Sequence, residues 1–311
     1  MSETVAWWKP LLYSGTLKSL RLTERFEEYI GIYSVLVPHP LISRPSFHSV
    51  RQLILNDDVV KYPEFIQILE IFPGVEEFAL FQQRFTFGPS DRDIEHPVSI
   101  PDHIFPRLNT IEIHDQWLPY YLGSKSAGRP IRHVRLVNGY RGTREAGNAL
   151  RKLAVQFSES HTTLETLYIR IMNVNMNDPI LVLDPILNQL PDLKVGYIQC
   201  PVFTRSAIGA MCKALADEST YRPLCERKER KLASLIIGSN ILISKRYGEH
   251  DPKNVRIRYD HVIHSICKHC PHLKDFLIFG FSSYLIWPEC YRVWEDKFPL
   301  WYTPENRWYQ W

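Results

Sequence analysis

One six-residue phrase, apolar-x-x-apolar-x-apolar, returns nine times along this chain of 311 residues and narrows its possible folds more than any other feature. It reads LKSLRL from Leu17, VRQLIL from Val50, VEEFAL from Val75, LNTIEI from Leu108 and IRHVRL from Ile131. It continues as LETLYI from Leu164, LKVGYI from Leu193, LASLII from Leu232 and LKDFLI from Leu273. Of the 27 template positions 26 are apolar, with Gly196 the exception, and a hydrophobic content of 45% does not readily give that match by chance. The second and third apolar residues of each phrase stand two apart, so they share one face of a strand.

Successive phrases start 33, 25, 33, 23, 33, 29, 39 and 41 residues apart, room for one strand–loop–helix unit each. The intervals carry helical stripes. PEFIQILEIF aligns Phe65, Leu69 and Phe72. TREAGNALRKLAVQF aligns Ala146, Leu150, Leu153 and Phe157 behind Thr143 as candidate N-cap. TRSAIGAMCKALA aligns Ile208, Met211 and Leu215 behind Thr204. FPGV, FPRL, LPDL and CPHL each set a proline two residues before a strand phrase, where it ends a helix and extends the backbone. Units that all present the same strand face predict a right-handed parallel stack, whose neighbours bury a core that no single unit can close.

The phrase resembles the leucine-rich repeat, L-x-x-L-x-L-x-x-N-x-L. LASLIIGSNIL, from Leu232 through Asn240 to Leu242, matches it in full. The other phrases carry Arg25, Asp58, Gln83, Gln116, Gly139, Met172, Pro201 and Phe281 at the asparagine position, which favours an uneven stack. Junctions such as CPHLKDF look like the substrate-recognition region of F-box leucine-rich-repeat proteins, fungal ones in particular. The resemblance covers roughly residues 10 to 285, and no leucine-proline opening of an F-box is found before Leu17. It implies an α/β fold, an irregular solenoid with a parallel concave sheet and outer helices. We expect one solenoid domain over residues 1–311, with about nine repeats and an aromatic C-terminal cap over 284–311.

Composition and motifs restrict the chemistry. A net charge of +3 does not argue for nucleic acid, and ERKERK at 226 to 231 has no interleaved aromatics, so it reads as a solvated loop. Charge is nevertheless clustered, with ten acidic against three basic residues over 57–103 and seven basic against two acidic over 222–246. The start of the chain has no signal-peptide pattern, and FLIFGFSSYLIW is too short to span a bilayer, so no membrane partner is expected. Six cysteines without paired spacing suit a reducing compartment, cytoplasmic or nuclear. DHVIHSICKHCPH gathers His261, His264, Cys267, His269, Cys270 and His272. No second tight pair accompanies it, and Ile263, Ile266, Cys267 and Cys270 form one helix stripe, so core packing is expected and no zinc. IHD, ending at Asp115, reads as an isolated His–Asp pair, and NDDVVK as a helix-capping turn. Phosphate-loop, dinucleotide, nucleophile-elbow and metalloprotease motifs are missing, and no cofactor is expected.

What remains is the strand face opposite the core. Its central outward column reads Arg21, Ile54, Ala79, Glu112, Arg135, Tyr168, Tyr197, Ile236, Leu277, with His114, His133, Arg170 and Gln199 in the adjoining positions. Arg and Tyr concentrate binding energy because each joins contact area to directional hydrogen bonds. The expected partner-binding residues are therefore Glu112, His114, His133, Arg135, Tyr168, Arg170, Tyr197 and Gln199. The resemblance implies a non-enzymatic substrate adaptor of a ubiquitin ligase, with a protein segment on the concave face and a cullin-type ligase adaptor subunit as a further partner. An enzyme with a site assembled from distant residues, or a purely structural scaffold, is the alternative. The tail after Ser283 holds Trp287, Trp294, Trp301, Trp308 and Trp311. Pro288, Pro299 and Pro304 rule out a heptad helix there, so the tail is expected to cover the open end of the stack.

Overall fold

The structure is a computed structural model. It describes residues 14–22, 46–56, 65–81, 100–122, 128–140, 142–160, 163–171, 179–200, 210, 213–220, 230–239, 269–270, 272 and 275–278. The aromatic tail, His261, His264, Cys267 and Asp57–Asp58 lie outside these residues.

Every phrase forms a strand: β1 (Ser19–Leu22), β2 (Gln52–Asn56), β3 (Glu77–Phe81), β4 (Thr110–Ile113), β5 (His133–Tyr140), β6 (Thr166–Ile171), β7 (Val195–Cys200), β8 (Ser234–Ser239) and β9 (Asp275–Ile278). They make one open sheet in strict chain order, and all its pairs are parallel. The fold is therefore α/β. Parallel neighbours need long crossovers, which the intervals between phrases supply. The fourth phrase position stays in register throughout, as Leu20, Leu53, Phe78, Ile111, Val134, Leu167, Gly196, Leu235 and Phe276.

A repeated hydrogen-bond device starts strands β2 to β8. The Lys18 carbonyl accepts the N–H groups of both Arg51 and Gln52, at 2.8 and 3.0 Å. The carbonyls of Arg51, Glu76, Asn109, Arg132, Glu165 and Lys194 each do the same for the next strand. These backbone groups would otherwise lack partners where chain enters the sheet.

The inward strand residues and the helices share one hydrophobic core. Helix α1 (Phe65–Glu70) and the turn after it bury Phe65, Leu69 and Phe72 as the stripe predicts. α2 (Leu118–Leu122) stacks Tyr121 on Phe78 at 5.2 Å. α3 (Thr143–Ser160) buries Ala146, Leu150, Leu153 and Phe157. Its first bond runs from Ala146 N–H to the Gly142 carbonyl, so the capping position falls on Gly142 rather than Thr143. α4 (Ile180–Asp184) runs into a wider π-type turn over Pro185–Gln189. Pro185 lacks the N–H that an α-helix would use there, which loosens the turn. Of the helix expected over 204–216 only Ala210 and residues 213–216 are described, and Leu215 is buried.

At Gly196, the exception to the phrase, neighbouring side chains leave room for a Cβ in ordinary van der Waals contact. A Cβ there would meet Leu235, Ile186 and Leu193 at 3.4, 3.5 and 3.7 Å. Cys270 is fully buried, as a core residue should be. Arg230 departs from the solvated-loop expectation. It donates to the carbonyls of Leu187 and His269 and to Asn188 Oδ1, tying two separate segments together. Among the described residues no helix is long and apolar enough to cross a membrane.

Candidate functional site

The outward column is assembled by the sheet register. Arg21, Ile54, Ala79, Glu112, Arg135, Tyr168, Tyr197, Ile236 and Leu277 are successive cross-strand partners from β1 to β9. Adjacent strands stand about 4.8 Å apart, so side chains in such a column touch.

Four of them form a continuous ladder over β4 to β7. Arg135 Nε lies 3.4 Å from Glu112 Oε1, and the two side chains are only 15% and 13% exposed. The Arg135 guanidinium sits 4.5 Å above the centre of the Tyr168 ring, a cation–π contact. Tyr168 in turn stacks on Tyr197, with centroids 4.7 Å apart and planes at 9°. Burial pushes the Glu112 carboxyl above the usual carboxylate range, against the pull of Arg135 and then Arg21. Both tyrosines are more covered than fully open anchors would be, 6% and 8% exposed. A partner on this face would meet their edges rather than their ring faces.

A second outward row runs two residues earlier on the strands. Ser19 Oγ donates to Gln52 Oε1 at 2.6 Å, and Gln52 Nε2 donates to Glu77 Oε2 at 2.9 Å. His133 Nδ1 lies 3.0 Å from Thr166 Oγ1. Burial lowers the His133 pKa and so favours the neutral ring, while the neighbouring Glu165 carboxylate pulls the other way.

No family model and no curated protein matches this chain.

The remaining expected residues lie towards the strand C-termini. His114 follows β4 and points Nδ1 at Asp115 Oδ1, 3.0 Å away. The Tyr140 hydroxyl donates to Asp115 Oδ2 at 3.1 Å. A carboxylate can only accept, so Asp115 holds the Nδ1–H tautomer of His114. Burial, then the Asp115 charge, raises the Tyr140 pKa well above its ordinary value. The IHD pair is thus one side of a three-residue cluster. Arg170 is half-buried and Gln199 is its register partner on β7.

Sequence reasoning missed a bulge. Arg135 pairs with Tyr168, but the next pair is Gly139 with Arg170, so β5 carries two extra residues. That shift places Tyr140 level with Ile171. The signal was Asn138-Gly139 inside a strand pattern, a dipeptide that favours such irregularities. Gln116 was also missed as a polar group of interest; its Nε2 is buried without a hydrogen-bond partner.

Proposed function

We propose that this chain is a non-enzymatic protein-interaction solenoid of the leucine-rich-repeat kind, similar to the substrate adaptor of a ubiquitin ligase. A protein segment docks across the outward face of its sheet, and Glu112, His114, His133, Arg135, Tyr168, Arg170, Tyr197 and Gln199 belong to that surface. The observation that carries this reading is the Glu112–Arg135–Tyr168–Tyr197 ladder, which fixes large directional side chains on the face that the core does not use. Held side chains lose little freedom on binding.

The test is quantitative partner capture from the native cell by wild type and by a variant with alanine at Arg135, Tyr168, Arg170 and Tyr197. The reading expects a dominant partner to fall by about tenfold or more, with cullin-type ligase subunits recovered alongside wild type. An unchanged partner profile for the folded variant contradicts it.

An enzymatic reading has the His114–Asp115–Tyr140 cluster in its favour. Loss of a turnover activity on Asp115→Asn, with partner capture intact, would select it.

A further inference from the structure

The outward face of the sheet is covered where no described helix lies. Ile54, Tyr168, Val195 and Tyr197 point away from the core and stand outside its hydrophobic cluster, yet each is buried. Three of the four lie together on β6 and β7, and the outward Ser234 on β8 is buried as well. Neighbours in a column shield the flanks of a side chain on an open sheet, not its tip. Arg135, Tyr168, Arg170 and Tyr197 also have interactions within the chain beyond the ladder. An all-parallel sheet is characteristically found with both faces shielded. The described helices supply one cover, since their buried residues join the inward strand residues in one core. Another part of the chain supplies the second.

Topology selects which part. Chain between parallel neighbours has to return from the end of one strand to the start of the next, and the described helices make that return on the core side. Only chain before β1 or after β9 is free of that requirement. At the β1 end the face is open, with Ser19 and Arg21 exposed. The buried residues gather towards the other end. Residues 279–311 follow β9, and twelve of them are Phe, Tyr or Trp. Tyr197 stands two strands from β9 and Tyr168 three, about 10 and 14 Å, which about five residues of extended chain span. The chemistry matches as well. From β6 to β9 the column runs Tyr168, Tyr197, Ile236, Leu277, with Val195 beside it. Tryptophan joins a broad apolar ring to a single N–H donor, which suits a surface of ring edges, aliphatic carbons and phenol oxygens.

We propose that residues 279–311 lie across the outward face over β6 to β8, with tryptophans of this tail on Tyr168, Val195 and Tyr197. The tail then covers more than the open end of the stack, and a partner gains the face by displacing it. The displacement rests on the reading of the face as the partner surface; the position of the tail does not.

The experiment uses the purified full chain without a partner. A benzophenone amino acid replaces Val195, and in a separate protein Val155, which is exposed on α3. After irradiation at low protein concentration, adducts within one chain are digested and mapped by mass spectrometry. The expected result is an adduct from Val195 to a peptide within 279–311, with none to that tail from Val155. Where the bulky residue at Val195 prevents folding, Thr166, half-buried in the same row on β6, carries the same test. An adduct to any other stretch of the chain, an adduct only between copies, or no adduct overturns the position of the tail. Displacement is read by quantitative partner capture with Trp287, Trp294 and Trp301 all changed to serine in the full chain. Freed of the competing tail, the face is expected to capture about threefold more partner or better. Unchanged or lower capture overturns the displacement and leaves the position of the tail standing. Capture that is also indifferent to alanine at Arg135, Tyr168, Arg170 and Tyr197 overturns the reading of the face itself.

Discussion

The Tyr121 hydroxyl lies in the core, on a residue 1% exposed, with no hydrogen-bond partner. Burial raises its pKa, so the group is a neutral phenol that has lost its water. A buried hydroxyl left unpaired costs about 1–3 kcal/mol, while the ring keeps its stacking on Phe78 without it. Tyr121→Phe should therefore stabilise the protein by about 1 kcal/mol, read as a rise in the denaturation midpoint at unchanged m-value. A fall would mean that the hydroxyl has a partner and that this part of the core is wrongly understood. Nearby, Arg129 is 1% exposed and donates to the carbonyls of Ile100, Pro101, Ile104 and Tyr121. Three of those carbonyls belong to the loop in which Phe105 adopts a φ of 54°, a conformation that costs a bulky side chain energy. The buried Phe105 ring, 5.3 Å from Phe78, and the arginine staple hold that turn in place. Neither was legible in the sequence. Arg129 stands two residues before a strand phrase, where four other junctions carry proline, and a buried arginine there is recognisable only once the carbonyls around it are known.

At the scale of elements, the strands were legible because the phrase repeats its period-2 face nine times. The amphipathic stripe located α3 to within its last turn. What escaped were the features set by contact between elements: the bulge in β5, the π-type turn at Pro185 and the meeting of α3 with α4. Gly147 decides that last contact. Added there, a Cβ would lie 2.3 Å from the Leu181 carbonyl oxygen and 2.9 Å from its carbon. Helix propensity alone favours alanine over glycine by about 1 kcal/mol. The obstacle is backbone, so the helices must separate, and overpacking of this kind costs about 1–3 kcal/mol. Gly147→Ala is expected to destabilise by about 1–2 kcal/mol net in chemical denaturation. Stabilisation would show that α3 and α4 pack less closely than described. The same reasoning applies to Gly74, whose added Cβ would strike the His48 carbonyl oxygen at 2.3 Å.

Across the whole molecule, the order of the sheet turns a linear list of residues into a surface. Strand n pairs only with its neighbours in sequence, so the outward column follows from the phrases alone. Its chemistry did not. The sequence places Glu112, Arg135, Tyr168 and Tyr197 side by side, but not the guanidinium over the Tyr168 ring or the near-complete covering of both tyrosines. Such details depend on side-chain conformations that a period cannot encode. The central claim is that this face, rather than the outer helices, meets the partner. Photocrosslinking tests it most directly. A benzophenone amino acid is placed at Ala79 in the column, and in a separate protein at Val155, which is 56% exposed on α3. After irradiation in the native cell, adducts are mapped by mass spectrometry. The account predicts a discrete adduct from Ala79 that disappears when Arg135, Tyr168, Arg170 and Tyr197 are alanine, and none of comparable yield from Val155. A discrete adduct from Val155, with none from Ala79, would contradict it.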